Sequence, residues 1–200
     1  PRVLTVVISR RLLEALERVH GARPSRSIVL HDAAPAGLKR PEADRCRALR
    51  EKWLASRERG EVRAICGYFG HLYAGRGIEI IEGLASRRPE VLFTVFGGND
   101  SDIEYRRREN DLPNLEYMGF LDHAEVHAAM AAMDVLLMPY QRKVSIGVKG
   151  HDTAEWMSPM KMFEYMAARR PIIATDLPAI REYLVHEKSA LLVPSGSAGG

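Results

Sequence analysis

Short apolar runs alternate with amphipathic stretches over most of this chain. We predict strands from the apolar runs at 62–69, 91–96, 114–118, 134–138, 171–175 and 190–193. Apolar residues at helical spacing predict helices at 78–88, 101–110, 124–133, 158–167 and 180–183. Strands this short and apolar, alternating with helices, are typical of a parallel sheet that is covered on both faces.

The predicted architecture is an α/β fold with a Rossmann-like, doubly wound parallel sheet. Such a sheet holds its ligand in the crevice at the carboxyl ends of the strands, near the point where the strand order reverses. In the six-strand order, the first and fourth strands are neighbours at that point. Their carboxyl ends are residues 69–71 and 138–140, so we expect the crevice between these two segments.

The amino-terminal part has a different pattern. Apolar strands are predicted at 3–8 and 27–31, and Ser9 and Gly21 are expected to begin and end the helix between them. A polar helix follows at about 41–57. We expect these elements to be the end of a preceding domain plus a connector. Because the chain begins directly on a strand, we also expect it to be a piece of a longer polypeptide.

Composition and charge narrow the function classes. Hydrophobic residues at 46% and charged residues at 28% are ordinary for a soluble globular protein, and no apolar run reaches the length of a membrane span. The net charge of +3 and the pI near 9.0 lean basic, and we expect the longest basic run, 106–108, to be a solvated helix face. Nucleic acid is not implied as a partner, whereas an anionic small molecule or a lipid surface stays open. Cys46 and Cys66 have no disulfide-framework or metal-ligand spacing, which indicates a reducing, cytoplasmic setting.

The helix predicted at 158–167 carries the main candidate chemistry. We expect Ser158 to cap it and Pro159 to take its first position. Lys161 and Glu164, three residues apart, then lie on one side of the helix near its amino end. A cation, free backbone N–H groups and the positive end of the helix dipole favour an anion such as phosphate there, and the carboxylate could accept hydrogen bonds from sugar hydroxyls. The alternative is a capped amphipathic helix with a surface ion pair.

A glycine-rich turn at 67–77 follows the first core strand. Its glycines allow backbone N–H groups to approach a ligand closely, and Arg76 adds a cation for phosphate. The turn lacks the Gly-Lys-Ser/Thr ending of a phosphate loop and the G-x-G-x-x-G spacing of a dinucleotide site, so kinase-type and NAD-type functions are not indicated. The alternative is that this turn serves only to reverse the direction of the chain.

The loop at 141–157 is too long for a simple connection in a compact α/β domain. Its cations and glycines are Arg142, Lys143, Gly147, Lys149 and Gly150. Two interpretations of this loop have equal support: a mobile lid that closes on a ligand, and a disordered surface insertion. We expect His151 and Asp152, in the same loop, to face solvent.

Metal chemistry has one candidate, the Asp100-Ser101-Asp102 sequence, which matches the D-x-D pattern of metal-dependent transferases. Because it opens a predicted helix, we expect it to serve in capping instead. His123, at the start of another helix, is also expected in a capping region. No metal site is predicted.

Several of these segments, in this order, resemble one family. They are Gly70-His71-Leu72, Gly75-Arg76-Gly77, Gly97-Gly98, 117–121, 134–139 and 158–176. The set is similar to the carboxy-terminal, nucleotide-sugar-binding domain of GT-B glycosyltransferases of family 4, also called glycosyl transferases group 1. The resemblance covers about residues 62–193. It implies that residues 1–60 are the end of an acceptor domain plus its linker helix, and that residues 61–200 are the donor-binding domain, one half of a GT-B fold.

The resemblance also implies roles for individual residues. Arg76 matches the basic residue that holds the donor diphosphate, His71 falls where the family usually has a second arginine, and Lys161 could restore the lost charge. Glu164 matches the glutamate that binds ribose hydroxyls, whereas the family's other glutamate would fall at Trp156, one residue after Glu155. The further substrate-binding residues are Gly70, Gly75, Gly77, Ser158 and the turn of Gly119, Phe120 and Leu121, which would contact the nucleotide base.

The mechanism implied by the resemblance is that of a retaining, metal-independent glycosyltransferase without a cofactor. It would move a sugar from a UDP- or GDP-type nucleotide sugar to an unknown acceptor: a polysaccharide, a glycolipid or a small molecule. Arg76 and Lys161 would stabilise the negative charge on the departing diphosphate. This part alone would bind nucleotide without turnover, in the cytoplasm, with peripheral contact at the inner face of the membrane left open. The alternatives are a nucleotide-sugar epimerase of GT-B type and a non-catalytic nucleotide-binding or scaffold module.

Overall fold

The computed structural model describes residues 3–21, 23–55, 57, 61–145 and 152–196. Its amino-terminal part consists of β1 (Thr5–Val7), α1 (Arg10–His20), β2 (Ser27–Val29) and α2 (Ala43–Leu54). The two strands pair in parallel as a small separate sheet. The predicted elements are therefore present, and each strand and the polar helix is shorter than predicted.

The two ends of α1 follow from its boundary residues. The amide of Leu12 donates to Ser9 Oγ at 3.0 Å, and Gly21 ends the helix in the left-handed region with φ of 67°. Both predicted boundaries are confirmed.

The core is a six-stranded sheet in which each neighbouring pair of strands is parallel. Its strands are β3 (Ala64–Phe69), β4 (Val91–Phe96), β5 (Leu115–Gly119), β6 (Val135–Met138), β7 (Ile172–Thr175) and β8 (Leu191–Val193). The helices between them are α3 (Ile78–Arg87), α4 (Asp100–Glu109), α5 (His123–Ala131), α6 (Met160–Ala168) and α7 (Pro178–Arg181). The strand order is β5-β4-β3-β6-β7-β8, so the first and fourth core strands are neighbours. The doubly wound sheet predicted from the sequence is confirmed.

Both faces of this sheet are buried, which explains the continuous apolar runs. Along β4, Leu92 and Phe96 face one hydrophobic cluster, whereas Phe93 and Val95 face the other. Successive side chains of a strand point to opposite faces, so a strand with two buried faces has no polar alternation.

The amino-terminal part contacts the core through α2 and the start of α1. Arg50 donates to both carboxylate oxygens of Asp134 at 3.0 and 2.9 Å, and Trp53 is buried in the larger cluster. The backbone amides of Arg10 and Arg11 donate to the Glu182 carboxylate. The assignment of residues 1–60 to the end of another domain stays a prediction.

Within the 106–108 run, Arg106 departs from the predicted solvated face. Arg106 lies 3.2 Å from the buried Glu82 and 2.6 Å from Glu79, and Arg107 donates to the Tyr117 carbonyl at 2.6 Å. The prediction is wrong for Arg106, whose side chain is only 17% exposed because the carboxylates of α3 pack against it, whereas Arg107 and Arg108 are exposed as predicted.

The D-x-D sequence takes part in a helix start. Asn99 caps α4 by accepting a hydrogen bond from the Asp102 amide at 2.8 Å, and Asp100 and Asp102 lie in the first turn. Within the described ranges, no three His, Cys, Asp or Glu side chains come close enough together to hold a metal ion. The same residues include no helix that is both long and apolar enough to cross a membrane.

Candidate functional site

A cleft with a volume of about 410 Å³ opens at the carboxyl ends of the strands that meet where the order reverses. Its lining includes the predicted residues Gly70, His71, Arg76, Phe120, Leu121, Lys161 and Glu164, together with Phe69, Phe96, Gly97, His123, Val126, Met130, Tyr140, Pro159 and Met160. This is the edge of the sheet at which the sequence predicts the ligand crevice, between 69–71 and 138–140.

The hydroxyl of Tyr165 joins β3 and β6 at the base of this cleft. These strands pair through Cys66 and Gly67. Beyond that pairing, the Phe69 amide donates to the Tyr165 hydroxyl at 2.9 Å, and the hydroxyl donates to the Leu137 carbonyl at 3.3 Å. Burial raises the pKa of Tyr165 well above its ordinary value, so the hydroxyl keeps its proton. The helix that carries Lys161 is thereby fixed to both strands.

The ammonium of Lys161 lies against two aromatic rings. Its nitrogen is 3.9 Å from the centroid of the Tyr68 ring and 5.3 Å from that of Tyr140. That nitrogen is buried and has no hydrogen-bond partner among the described residues. Burial is the main cause that lowers the pKa of Lys161 well below its ordinary value; the charge of Arg76 adds to it, and Glu164 opposes it. Cation–π contact replaces only part of the lost hydration, so the protein alone leaves this ammonium poorly satisfied.

Arg76 enters the same cleft from the glycine turn. One of its terminal nitrogens donates to the Tyr140 hydroxyl at 3.0 Å, and its guanidinium carbon is 5.3 Å from the Tyr140 ring centroid. Its Nε is buried without a hydrogen-bond partner within the described chain. Two cations therefore converge on Tyr140, and their unused N–H groups are suited to an anion with several acceptor oxygens.

Two glycines make room for this arrangement. A Cβ at Gly70 would lie 2.6 Å from Lys161 Nζ, and a Cβ at Gly97 would lie 2.3 Å from the Gly70 carbonyl oxygen. Both glycines have positive φ, 145° and 102°. A larger residue at position 70 would fill the space of the lysine nitrogen, and one at position 97 would collide with the Gly70 backbone.

Gly75 and Gly77 serve packing instead. A Cβ at Gly75 would lie 1.9 Å from the Lys143 carbonyl oxygen, and one at Gly77 would lie 1.8 Å from the Pro139 carbonyl oxygen. Neither is among the residues that line the cleft. The glycine turn is thus pressed against the segment after β6, and the substrate contacts of these two glycines stay predictions.

The described ends of the 141–157 loop belong to the folded core. The Gln141 amide donates to the Gly75 carbonyl at 2.9 Å, and the Thr153 amide donates to the Val144 carbonyl at 3.1 Å. Hydrogen bonds from the amides of Val144 and Ala154 lower the pKa of Asp152. The interpretation of this loop as a disordered surface insertion is therefore wrong for its described ends. Gly147, Lys149, Gly150 and His151 lie outside the described residues, and the lid stays a prediction.

His71 and Phe120 form one rim of the cleft. The His71 ring stacks on Tyr73 with centroids 4.7 Å apart and 4° between the planes, and it meets Phe120 edge-on at 6.5 Å. Phe120 is 67% exposed. An exposed aromatic ring beside a cationic cleft can cover a flat heterocycle, so this rim suits a nucleobase.

The start of α6 differs from the prediction. Pro159 is the N-cap residue and no side chain caps the helix; the Ser158 hydroxyl instead lies 3.4 Å from the Tyr183 hydroxyl, whose own proton is donated to the Ile8 carbonyl at 3.0 Å. The capping role of Ser158 is wrong because the N-cap position falls one residue later, on Pro159, and Ser158 is not among the cleft-lining residues. Lys161 and Glu164 do share the cleft, and no ion pair joins them in the described structure. The surface ion pair of the alternative interpretation is therefore absent there.

Four further residues complete the comparison with the sequence. Glu155 is exposed and pairs with Arg18 at 2.7 Å, and the Trp156 carbonyl accepts a hydrogen bond from Ser9 at 3.3 Å. Neither lines the cleft, whereas His123, which was predicted only as a capping-region residue, does. Gly119 is also absent from the lining, although its neighbours Phe120 and Leu121 are present.

Sequence reasoning missed Tyr68, whose ring covers the Lys161 ammonium. It lies within a buried strand, where an aromatic residue is typical packing. Its only local signal is its place two residues before Gly70.

Known glycosyltransferases are similar to this chain. The model of the family described as glycosyl transferases group 1 matches residues 65–200. The putative teichuronic acid biosynthesis glycosyltransferase TuaH of Bacillus subtilis is 25% identical over 122 residues, covering 60% of this chain and 28% of that protein. The phosphatidyl-myo-inositol mannosyltransferase of Mycolicibacterium smegmatis is 31% identical over 118 residues, covering 58% and 27%.

A solved structure shows the same fold. The crystal structure of HepE from Anabaena in complex with UDP-glucose aligns with a TM-score of 0.75 at 18% identity, covering 98% of this chain and 50% of that one. The chain thus spans half the length of this structure and about a quarter of the length of the two relatives. Because the family model matches more than half of the chain, the chain belongs to the glycosyl transferases group 1 family.

Proposed function

We propose that this chain is the donor-binding part of a retaining, metal-independent glycosyltransferase that uses a UDP- or GDP-type nucleotide sugar. The observation that carries the proposal is a pair of cationic nitrogens, Lys161 Nζ and Arg76 Nε, buried in one cleft without hydrogen-bond partners among the described residues. A buried charged donor costs free energy unless it is paired. A diphosphate supplies the acceptor oxygens that both side chains need.

The two cations act on the leaving group. When the bond between the anomeric carbon and the diphosphate oxygen breaks, its electron pair leaves with the diphosphate, and Arg76 and Lys161 stabilise the charge that develops there. The acceptor oxygen bonds to the anomeric carbon on the same face, and its proton passes to the departing diphosphate. Fixed positive charges supply the stabilisation that a metal ion gives in other transferases.

The remaining cleft residues orient the nucleotide. Glu164 lies one helical turn from Lys161 and accepts hydrogen bonds from the ribose hydroxyls. The 119–121 turn contacts the base, with Phe120 over it, and His71 contributes a second group beside the diphosphate.

The named relatives support a glycosyltransferase over the epimerase and scaffold alternatives, since both carry that activity in their names. HepE was crystallised with UDP-glucose, which supports a nucleotide-sugar donor. The relatives' names refer to teichuronic acid biosynthesis and to a phosphatidyl-inositol. On this basis we propose a polysaccharide or glycolipid acceptor, reached from the cytoplasm with peripheral membrane contact.

Calorimetric titration with UDP-glucose, GDP-mannose and ADP-glucose tests the proposal. We expect binding of one or more donors, unchanged by a chelator. Each charge-assisted hydrogen bond contributes about 1.5–3 kcal/mol, so Arg76→Ala and Glu164→Ala should each weaken binding about 10- to 100-fold. The exposed Arg108→Ala and Glu104→Ala, matched in charge, should leave affinity unchanged. Absence of nucleotide binding, or equal affinity in all four variants, contradicts the assigned site.

A further inference from the structure

Two adjoining hollows lie at the opposite edge of the sheet from the cleft. The first, here called the basic cavity, has a volume of about 550 Å³ and lies among the start of α2 and the carboxyl ends of α5 and α6. In a parallel sheet the helices run opposite to the strands, so the carboxyl ends of α5 and α6 mark the edge at which strands begin. The basic cavity is therefore separate from the candidate donor site.

Five arginines line the basic cavity: Arg40, Arg47, Arg50, Arg169 and Arg170. Arg50 pairs with Asp134, and Arg170 Nε donates to the Ala131 carbonyl at 2.6 Å. Arg47 has an exposed partner, Asp44, at 3.3 Å, whereas Arg40 and Arg169 have no carboxylate within ion-pair distance in the described structure. None of the described lining residues is acidic. Such a concentration of guanidinium groups favours a phosphate.

Arg169 holds an unfavourable backbone conformation at this place. It ends α6 in the left-handed region with φ of 55° and ψ of 43°. Glycine is the residue that adopts this conformation without a steric cost. An arginine in this conformation destabilises the fold and places a cation at the junction of the two hollows. Backbone strain of this kind often accompanies a functional role.

The second hollow, here called the apolar groove, adjoins the basic cavity. It has a volume of about 530 Å³ and shares Leu38, Ala167 and Arg169 with the basic cavity. Phe163 and Met166 from α6 line its floor, and Asp32 is the acidic residue among its described lining. Leu38 and Met166 are 38% and 43% exposed. Apolar side chains that are exposed to this extent, beside a cluster of cations, suit a ligand with an apolar chain and an anionic head.

A polar group of the basic cavity also lacks a partner. Nδ1 of His127 is buried without a hydrogen bond to any described residue. Burial lowers the pKa of His127, so the ring is neutral and one nitrogen can donate to, or accept from, a bound head group.

We propose that this edge of the protein binds an amphiphilic phosphate, with the phosphate in the basic cavity and its hydrocarbon chain in the apolar groove. The ligand is either a free amphiphile or the head group of a phospholipid in a bilayer. Binding here is independent of the donor cleft.

Cys46 reports on the basic cavity directly. It is a free, partly buried thiol in the cavity lining, so a bound ligand should slow its reaction with a maleimide, measured by mass spectrometry of the Cys46 peptide. At a ligand concentration ten times the dissociation constant, the rate should fall about tenfold. We expect this with octyl phosphate, a smaller effect with inorganic phosphate, and none with octyl glucoside. Equal protection by octyl phosphate and octyl glucoside, or none by either, overturns the proposal.

Charge-matched variants distinguish binding in the basic cavity from a general effect of lost positive charge. Arg40→Gln with Arg47→Gln should abolish the protection, whereas Arg87→Gln with Arg108→Gln, exposed and equal in charge change, should keep it. Arg76→Ala should also keep it, because that residue lies in the donor cleft. Retained protection in the first pair, or loss with Arg76→Ala, contradicts the assignment.

Arg169→Gly gives a readout that a structural role would not produce. Relief of the left-handed strain should raise the melting temperature, while loss of the guanidinium should weaken protection by octyl phosphate. A more stable variant with undiminished protection contradicts a ligand-binding role for Arg169.

The source of the ligand is distinguished with vesicles. Phosphatidylglycerol vesicles that protect Cys46, where phosphatidylcholine vesicles do not, identify a bilayer lipid. Protection by octyl phosphate without protection by either vesicle identifies a free amphiphile. Equal protection by both vesicle types contradicts recognition of an anionic head group.

Discussion

Replacing Lys161 with methionine should stabilise the fold and weaken donor binding at the same time. Methionine keeps the apolar stem and removes an ammonium that is buried against Tyr68 and Tyr140 without a hydrogen-bond partner. Exchange of buried charges for apolar groups of similar volume commonly stabilises proteins by about 1–4 kcal/mol, and a single ammonium with partial cation–π compensation should give about 2 kcal/mol. The lost charge-assisted hydrogen bond should weaken affinity for UDP about 10- to 100-fold.

The pH dependence supplies an independent check. Because the pKa of Lys161 is lowered in the fold, the unfolded chain binds more protons between that lowered value and 10.5. The free energy of unfolding therefore rises with pH in this window for the parent and not for Lys161→Met. The stability advantage of the variant should be largest near neutral pH and shrink as the pH rises. Titrations of buried tyrosines and of Cys66 occur in both proteins and cancel in the difference.

Urea denaturation at several pH values between 7 and 9.5 measures the stability difference, and calorimetry with UDP measures affinity. Lys188→Met, at an exposed lysine, is the matched control and should change neither quantity. A destabilised Lys161→Met protein, or a stability difference that does not change with pH, refutes the argument for a poorly satisfied ammonium. Unchanged UDP affinity refutes its role in binding.

Three further outcomes can be checked by urea denaturation and thiol labelling. Gly77→Ala should lower the free energy of unfolding by more than about 2 kcal/mol, because its Cβ would overlap a carbonyl oxygen 1.8 Å away. Gly196→Ala is the control, since Gly196 has a similar φ of 83° and open space around it, and it should cost about 1 kcal/mol. Equal losses of stability in the two variants would contradict the steric cause. Glu82→Gln should cost about 3 kcal/mol because it breaks a buried pair, whereas Glu79→Gln, at the exposed partner of the same arginine, should cost under about 1 kcal/mol; the reverse order would contradict the assignment. Burial raises the pKa of Cys66 to about 12, so its thiol should resist maleimide at pH 8 until urea unfolds the chain, and rapid labelling of the folded chain would contradict this.

The order of strands and helices could be predicted from the sequence because local geometry determines it. A strand with both faces buried needs a continuous apolar run, as at Val91–Phe96, and the observed bounds of that strand equal the predicted ones. The spacing of Lys161 and Glu164 places them on one side of α6, and both line the cleft. Alternation of strand and helix then leads to the doubly wound order and to the cleft at the carboxyl ends of the strands.

The contacts and hydrogen-bond partners of individual residues could not be predicted in this way. Ser158 has the local pattern of a cap, but the helix begins after Pro159 and the Ser158 hydroxyl contacts the Tyr183 hydroxyl instead. Gly75 and Gly77 follow the pattern of a ligand-binding turn, and the carbonyls of residues 143 and 139 press against them. In each case the contacting atom belongs to a residue far away in the chain.

By itself, the sequence determined the fold class, the edge of the sheet that holds the cleft, and the cationic residues that enter it. Only the tertiary structure decided that Lys161 is desolvated between Tyr68 and Tyr140, and that the cleft brings its nitrogen together with that of Arg76. It also decided that arginines of α2 and arginines directly after α6 meet at the opposite edge. Backbone periodicity depends on neighbours within a few residues. Desolvation and charge pairing depend on atoms that only the folded chain brings within a few ångströms.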